Sequence, residues 1–243
     1  MNLIIGRKPV LEAIKSGKPV EKIYILYGQH GDVVDQIRIN AKKRKINVTQ
    51  LSSERFYSIT KDKNAQGIAA IAPSFKYYEL EELMDSIIEK QEPLILILES
   101  IQDVHNLGAL LRTADCAGVD GVIITRHNTA PINEVAIKTS AGAVNHLKIC
   151  FVNNLVNTLE NLKKKKFWII GSSLEEAQNY TEVDYDTPLA LVVGNEEKGI
   201  RKLTAEKCDL LVKIPMAGKI QSLNVSVATG VLLFEILRKR KAK

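Results

Sequence analysis

The sequence has few cysteines and no long apolar run, and these two shortages exclude several classes of protein. Its three cysteines, among 243 residues, are odd in number and show no CxxC spacing, which argues against a disulfide framework or a zinc site. The four histidines are also scattered, so we expect no metal. No segment reaches the roughly 18 to 20 continuous apolar residues of a membrane-spanning helix, and the stretch 1–8 holds too short an apolar core for a signal peptide. We therefore expect a cytoplasmic protein with no membrane partner.

Positive charge is in modest excess and is concentrated in clusters. Lysine and arginine number 34 against 28 aspartate and glutamate residues, a net charge of +6. Basic clusters lie at 42–45, 163–166 and 238–243. Such clusters can neutralise the phosphates of a nucleic acid, but each could equally be a solvated helix end, because cations favour helix C-termini. Charge alone leaves both interpretations open.

Helices and strands alternate along the first 72 residues, which predicts a small α/β domain. The predicted elements are helices near 9–17 and 32–44, a helix beginning at Ser52, and strands at 22–26, 46–51 and 67–71. Residues 73–93, which include an acidic helix at 79–90, are interpreted as a linker between this domain and the rest of the chain.

Residues 94–243 read as a larger α/β domain with a mostly parallel sheet. Continuous apolar strands, of the kind buried on both faces of a parallel sheet, are predicted at 94–98, 122–124, 167–170, 189–193 and 210–214. Helical segments separate most of them. Ligands of such sheets bind at the carboxyl ends of the strands, so the segments that follow these strands are the candidates for a site.

The first candidate segment is a helix at 103–118 that follows the strand 94–98. Its core face consists of Leu107, Leu110, Leu111 and Ala114. Arg112 lies between these core positions and should therefore emerge at the edge of that face. A guanidinium is always charged and has five donors, so an arginine in a cleft needs an anionic partner. From this segment alone, a structural salt bridge is the stronger interpretation.

The second candidate segment is a loop at 194–199, which has a glycine at each end and follows the strand 189–193. Glycine allows another backbone or a ligand to approach closely. The loop is not a phosphate loop, because Ile200 and Arg201 stand where lysine and serine or threonine are required, and its two glutamates would repel a phosphate; the dinucleotide fingerprint GxGxxG is also absent. An adenosine-type ligand bound by main-chain groups fits better, although a simple turn is an equally good interpretation.

The third candidate segment, 214–230, leads from a strand into an apolar helix. Ser222 is predicted to be the N-cap of a helix that runs to about Lys239. Apolar residues occur nearly all round this helix, which predicts burial between the sheet and a second subunit. Gly230 suggests close helix packing, because glycine costs roughly 1 kcal/mol relative to alanine within a helix. Capping does not explain why Asn224 lies in the first turn.

Together, the three segments resemble the motifs of the SpoU (TrmH) family of SPOUT RNA methyltransferases. The motifs are NxGxxxR at Asn106, Gly108 and Arg112, GNExxG at Gly194, Asn195, Glu196 and Gly199, and IPM followed by SLNVSVA between Ile214 and Ala228. The first domain resembles the family's small L30e-like, ribosomal-protein-like RNA-binding domain, opened by 6–11 and closed by 66–69, with Ala65 where members commonly carry histidine. The similarity covers nearly the whole chain and is greatest to bacterial members that methylate a guanosine of 23S ribosomal RNA.

The resemblance implies a particular fold, cofactor and assembly. The C-terminal α/β domain should contain a deep trefoil knot, a rare exception to the rule that chains do not thread loops. S-adenosyl-L-methionine should bind in the loops of this knot, mainly through main-chain groups of Gly194, Ile214 and Leu223, with Met216 beside them. RNA is the implied partner, and a homodimer should form through the C-terminal domain, with the active site near the subunit interface.

The implied reaction is methylation of a ribose 2′-hydroxyl. The implied catalytic residues are Arg112, Asn106, Glu196, Ser222 and Asn224. In the family, the residue matching Arg112 is proposed to activate the hydroxyl. Because a guanidinium stays charged and is a poor general base, we favour a role in which it clamps a neighbouring phosphate and stabilises the developing alkoxide; local deprotonation is the alternative. Asn106 is expected to orient Arg112 or the ribose, and the other three to shape the site.

Three alternative functions are weighed against this interpretation. The first is ribose methylation of transfer RNA by a member of the same family, which the N-terminal domain disfavours because the simplest such enzymes lack one. The second is an RNA-binding factor that keeps the fold but is catalytically silent, which is disfavoured because the motif residues are intact. An ordinary Rossmann enzyme is disfavoured by the missing glycine fingerprint.

Overall fold

The computed structural model describes residues 2–17, 20–62, 64–72, 77–126, 128–173, 177–195, 198–220 and 222–241. The chain divides into two units, Met1–Lys76 and Tyr77–Lys243. Among the described residues, none of the helices is both long enough and apolar enough to cross a membrane.

The first unit is built on a mixed sheet. In the part of it that the structure describes, the elements are β1 (Asn2–Ile5), α1 (Arg7–Lys15), β2 (Lys22–Leu26), α2 (Asp32–Lys43), β3 (Asn47–Leu51), α3 (Ser53–Thr60) and β4 (Ile68–Ala72). The strand order is β1-β4-β2-β3. Strand β4 is antiparallel to β1 and β2, whereas β2 and β3 are parallel.

Apolar spacing explains how this sheet is covered. Helices α1 and α2 turn residues such as Val10 and Ile37 toward Ile23 and Ile25 of β2, and together these form one buried cluster. Helix α3 buries Phe56 in a second cluster. All three predicted helices and all three predicted strands of this unit are present, and β2 has the predicted bounds. Strand β1 was not predicted, because its four residues gain their strand character only by pairing with β4.

The second unit is built on a parallel sheet. Its described elements are α4 (Leu80–Asp85), β5 (Leu94–Leu98), α5 (Val104–Cys116), β6 (Gly121–Thr125), α6 (Glu134–Thr139), β7 (Ile149–Val152), α7 (Leu155–Lys164), β8 (Trp168–Ser172), β9 (Gln178–Asn179), β10 (Leu189–Val193), α8 (Lys202–Lys207), β11 (Leu210–Lys213) and α9 (Val225–Lys241). The strand order is β7-β6-β5-β10-β8-β11-β9, and every neighbouring pair is parallel.

The predicted α/β fold with a mostly parallel sheet is confirmed. Strands β5 and β10 have the predicted bounds and are buried along their whole length, as a strand covered on both faces should be. Strand β10 lies between β5 and β8. The loops that follow β5, β8 and β10 therefore leave the sheet at the same edge, although they are distant in sequence.

The linker predicted at 73–93 is too long. Tyr78 donates its backbone N–H to the carbonyl of Ile149, at 2.8 Å. Leu83 and Met84 of α4 are buried in the core that also contains residues of β5, β6 and β10. Residues from Tyr77 onward therefore belong to the second unit, because the apolar face of the acidic helix needs that core, whereas 73–76 lie outside the described residues.

The last helix differs from its prediction in two respects. Helix α9 begins at Val225, so Ser222 is not its N-cap; Asn224 takes that place and accepts hydrogen bonds from the backbone N–H and the hydroxyl of Ser226, at 3.0 and 2.6 Å. The helix is also not buried all round in the single chain, because Val227 and Phe234 are 52% and 49% exposed. Capping thus accounts for the asparagine in the first turn.

Candidate active site

A cavity of about 380 Å³ lies at the carboxyl edge of the parallel sheet of the second unit. Among the described residues, its lining consists of Ser172, Ser173, Val193, Gly194, Asn195, Lys198, Gly199, Ile200, Ala205, Ile214, Met216, Ser222, Leu223, Val225, Ala228 and Thr229. All four residues expected to bind the cofactor are in this lining, namely Gly194, Ile214, Met216 and Leu223. The second and third candidate segments therefore meet around one cavity, which lies where ligands of parallel sheets bind.

The loop after β10 is closed by its own backbone. Asn195 donates its N–H to the carbonyl of Gly199 at 3.1 Å, and Gly199 donates in return to the carbonyl of Asn195 at 2.8 Å. A Cβ atom on Gly194 would lie only 2.1 Å from the carbonyl carbon and oxygen of Gly199 and 2.4 Å from the nitrogen of Ile200. Any side chain at position 194 is therefore excluded by backbone, and the glycine allows this close approach.

A buried carboxylate holds the far end of this loop. Glu99 directly follows β5 and is 1% exposed. It accepts a hydrogen bond from the backbone N–H of Arg201 and another from the hydroxyl of Thr204, each at 2.8 Å. The guanidinium of Arg201 donates to the hydroxyl of Ser100 at 3.1 Å. Because charge-assisted bonds are stronger than neutral ones, this carboxylate fixes the start of α8 relative to β5.

Sequence reasoning missed Glu99. The first candidate segment was taken to begin at Asp103, beyond the loop that contains the carboxylate. The available signal was a charged residue immediately after five buried apolar residues, since a carboxylate in that position must find hydrogen-bond donors when the strand is buried. Asn195 adds a contact to the same loop, with its side-chain amide 3.4 Å from the carbonyl of Ser100.

The first and third motifs are joined by a direct hydrogen bond. The side-chain amide of Asn224 donates to the side-chain oxygen of Asn106 at 3.0 Å, across 118 positions of sequence. Helix α9 packs against α5. Helix α5 is capped by Asp103, whose carboxylate accepts from the backbone N–H of Asn106 at 2.7 Å. Two residues predicted to be catalytic therefore lie together at the start of their helices.

Arg112 stands apart from both groups. Its side chain is exposed on α5 and is not part of the cavity lining. It forms no ion pair with any residue that the structure describes, so the structural salt bridge favoured by the segment alone is not found. Of the other residues predicted to be catalytic, Ser222 lines the cavity, and Glu196 lies outside the described residues.

The glycine of the first motif is required by packing. A Cβ atom on Gly108 would lie 2.6 Å from Cβ of Thr139 and 2.8 Å from the carbonyl oxygen of Ala136. Helices α5 and α6 can approach this closely only because position 108 has no side chain. Gly108 thus positions the helix that carries Asn106 and Arg112.

The cavity suits a mainly uncharged, adenosine-type ligand better than a polyphosphate. Its described lining contains several aliphatic or thioether side chains, including Ile200, Met216 and Leu223, and its one charged side chain is Lys198. Gly194 is buried, and its missing side chain makes room for the backbone of Gly199. An apolar lining with a few polar groups is typical of pockets for ligands of this size, and binding of S-adenosylmethionine mainly through main-chain groups stays a prediction.

Comparisons with known proteins agree with this site. The model of the SpoU rRNA methylase family matches residues 93–234, and a model described as RNA 2′-O ribose methyltransferase substrate binding matches residues 3–78. A Staphylococcus aureus protein assigned to the TrmH family of tRNA/rRNA methyltransferases is 38% identical over 239 residues, which are 98% of this chain and 96% of that protein.

Two solved structures have the same fold. The SpoU methyltransferase AviRb from Streptomyces viridochromogenes, in complex with AdoMet, matches with a TM-score of 0.64 and 20% identity over 99% of this chain and 91% of its own. An rRNA methyltransferase from Sinorhizobium meliloti matches with a TM-score of 0.61 and 28% identity, over 97% of this chain and 86% of its own.

The parallel sheet, the cavity at its edge and these matches define an RNA methyltransferase that uses S-adenosylmethionine. Both of its units have counterparts among such enzymes. The chain belongs to the SpoU (TrmH) family.

Proposed function

We propose that this enzyme methylates a ribose 2′-hydroxyl of ribosomal RNA, and that its target is a guanosine of 23S RNA. The observation that carries the proposal is the pairing of Asn106 with Asn224 at 3.0 Å, combined with a cavity lined by Gly194, Ile214 and Leu223. The three motifs thereby supply a pocket for the methyl donor, here called the donor pocket, and a polar region for the ribose that accepts the methyl group. The substrate-binding model over residues 3–78 supports ribose methylation by its description.

Bound S-adenosylmethionine supplies a methyl group on a sulfonium, which is already a strong electrophile. The protein's tasks are then to align the acceptor hydroxyl, whose proton passes to water, and to stabilise the charge that develops on its oxygen. Asn106 and Asn224 hold each other's amides in fixed orientations, so one of them can present a donor or an acceptor to the ribose. Ser222 lines the donor pocket. Its hydroxyl is suited to position the side of the methyl donor that faces the acceptor ribose.

Arg112 is proposed to remain charged, to bind the phosphate beside the target nucleotide and to stabilise the developing alkoxide. Its exposed guanidinium, which forms no ion pair within the described residues, is available for a phosphate. Arginine suits this role because its planar donors match phosphate oxygens.

Substitution at position 112 tests this role. Arg112→Ala should abolish methyl transfer to ribosomal RNA, followed with radiolabelled S-adenosylmethionine, while calorimetry shows nearly unchanged binding of the methyl donor. Arg126→Ala, which removes another exposed arginine from the same unit, is the matched control and should transfer at the wild-type rate. Wild-type turnover by Arg112→Ala would refute the role.

The RNA target is tested by offering the wild-type enzyme ribosomal and transfer RNA separately. Transfer to 23S RNA at one ribose, mapped by resistance of the modified linkage to alkaline hydrolysis, supports the proposal. Transfer RNA is the second candidate, because the S. aureus relative carries a name that includes both substrates. Binding of RNA without transfer to either would instead support a catalytically silent factor.

We also propose that the enzyme is a homodimer through its second unit. Val227 and Phe234 on α9 are about half exposed in the single chain, and an apolar surface of this kind is typical of an interface. Arg112 lies outside the cavity of its own chain, as we expect if it acts at the cavity of the partner subunit. Sedimentation of wild type and of Phe234→Lys tests this; a monomeric wild type would contradict it.

A deep trefoil knot in the second unit is proposed on the family resemblance and on the position of β10 between β5 and β8. Pulling the chain from residues 94 and 241 with optical tweezers tests it. A knotted chain stays shorter than its contour length when fully stretched, whereas an unknotted chain reaches it.

A further inference from the structure

A second cavity lies on the first unit, where no residue has yet been given a role. It has a volume of about 530 Å³ and is lined by Arg7, Leu26, Gln29, Tyr57, Gln66 and Gly67. These residues come from the start of α1, the end of β2 and the loop after it, helix α3 and the loop before β4. Elements distant in sequence thus converge on one place, here called the Arg7 cavity.

The positive charge of Arg7 is held in place but is not neutralised. Its Nε donates to the carbonyl of Gln66 at 3.2 Å, and its Nη2 donates to the side-chain oxygen of Gln29. The backbone N–H of Arg7 also donates to the side-chain oxygen of Gln66, at 3.2 Å. Within the described residues, Arg7 forms no ion pair with a carboxylate. A partly buried guanidinium with only neutral acceptors is a ready site for an anion.

The backbone around Arg7 adopts conformations that side chains rarely allow. Gln66 has φ +51° although it is not glycine. Gly67 has φ +70°, and a Cβ atom there would lie 2.5 Å from Cδ of Gln29. The glycine therefore lets Gln29 lie against the loop and reach Arg7. Residues held in such sparsely populated regions are concentrated at binding sites.

Exposed aromatic rings accompany this charge. Tyr57 lines the cavity and is 37% exposed, and its ring is braced at 87° against the ring of the buried Phe56. Tyr27 follows the lining residue Leu26 and is 64% exposed. Exposed tyrosines beside an arginine are the usual means of holding an unpaired nucleotide, because the ring stacks on the base and the guanidinium binds the phosphate.

We propose that the Arg7 cavity binds an unpaired stretch of the substrate RNA, with a phosphate on Arg7 and a base stacked on Tyr57. The proposal rests on the proposed function for the nature of the ligand, and the match of residues 3–78 to a substrate-binding model argues for RNA as the occupant. An unpaired base needs an aromatic ring to stack on, and the Arg7 cavity offers Tyr57. The basic cavity on the same unit has no aromatic side chain among its described lining residues, which are Arg38, Lys42, Ile46, Asn47, Val48 and Gln50.

The position where the family commonly carries histidine does not form part of this surface. Ala65 is fully buried in the cluster with Phe56 and Ala69, and it is not among the cavity residues. The alanine therefore changes the packing beneath the surface and leaves the groups that would contact RNA in place.

The test measures how the full-length protein binds a fluorescein-labelled oligouridylate, which is single-stranded, and a perfectly paired RNA duplex. Tyr57→Ala should weaken binding of the oligouridylate about tenfold and leave duplex binding unchanged, whereas Tyr57→Phe should bind like wild type. Arg7→Gln should lower the slope of log affinity against log salt concentration by about 0.7, the value for one lost phosphate contact on a single strand. Lys42→Gln, in the other basic cavity, is the matched control and should leave both measurements unchanged.

Oligouridylate binding by Tyr57→Ala at wild-type affinity would overturn the proposal, and so would an equal loss for duplex and single strand. Tyr57 takes no part in the Arg7 hydrogen bonds, so its substitution keeps the test valid even if Arg7→Gln fails to fold. If wild type methylates ribosomal RNA while Tyr57→Ala binds normally, only this inference fails. If the variants behave as expected but wild type transfers no methyl group, only the proposed function fails.

Discussion

The close contact between Gly194 and the backbone of Gly199 gives the sharpest prediction about the donor pocket. In Gly194→Ala the new Cβ would lie 2.1 Å from the carbonyl of Gly199, against an ordinary carbon–carbon separation of roughly 3.5 to 4.0 Å. The obstacle is backbone, which cannot rotate away as a flexible side chain can. The loop must therefore move by roughly 1 Å or more, and the two hydrogen bonds between Asn195 and Gly199, at 3.1 and 2.8 Å, are put under strain.

Two effects of different size should follow. Overpacking of this kind costs about 1–3 kcal/mol of folding stability. The affinity for S-adenosylmethionine should fall by about fivefold, because one displaced main-chain hydrogen bond is worth about 1 kcal/mol and a factor of ten corresponds to about 1.4 kcal/mol. Urea denaturation measures the first effect, and isothermal titration calorimetry with the methyl donor measures the second.

Gly218→Ala is the matched control for this experiment. It lies in the loop between β11 and α9, and a Cβ atom there would meet nothing within 4 Å. Its stability and its donor affinity should remain close to those of wild type. If Gly194→Ala binds the donor as tightly as Gly218→Ala, the loop does not hold the ligand and the assignment of the cavity is wrong.

Three further outcomes are expected. Glu99→Gln should lower the free energy of unfolding by about 1–3 kcal/mol in urea titrations, because an amide replaces one of the two acceptors at the start of α8; an unchanged midpoint would contradict this. Gly230→Ala should raise the free energy of unfolding by about 0.5–1 kcal/mol, since the added Cβ would meet its nearest neighbour at an ordinary 3.6 Å. A loss of stability would show that a second chain packs there. Cys116 is exposed, whereas burial raises the pKa of Cys150 and of Cys208 from 9.0 to about 12. A thiol reagent at pH 8 should thus label one cysteine in the native protein and three after denaturation, and stability should decline as pH rises from about 9 toward 12 because the unfolded thiols ionise first.

The sequence predicted those parts of the fold in which a residue's neighbours along the chain determine its environment. Strands β5 and β10 were found with their observed bounds, since a continuous run of five apolar residues is typical of a strand buried on both faces of a parallel sheet. Strand β9 was missed because two residues carry too little pattern, and β7 was not predicted although three of its four residues, Ile149, Phe151 and Val152, are apolar. Ser222 was placed at the start of α9 on residue type, but the helix begins two positions after Leu223 and Asn224 caps it.

The candidate site was predicted unevenly for the same reason. The four expected donor-binding residues line one cavity, because they follow strands whose carboxyl ends meet at one edge of the sheet. Glu99 was missed, since its partners Arg201 and Thr204 lie 102 and 105 positions further along the chain. The role expected for Arg112 stays a prediction, because no contact within the described residues tests it.

By itself, the sequence determined the order of helices and strands and the residue types available after each strand, because apolar periodicity and turn residues act over a few positions. Only the tertiary structure decided which of those residues meet: that Asn224 reaches Asn106, and that a carboxylate after β5 holds the loop after β10. It also decided why particular glycines are required, since the atoms that exclude a side chain at Gly108 belong to another helix. Contacts of this kind depend on which strands lie next to each other in the sheet. That arrangement is set by the burial of the sheet as a whole.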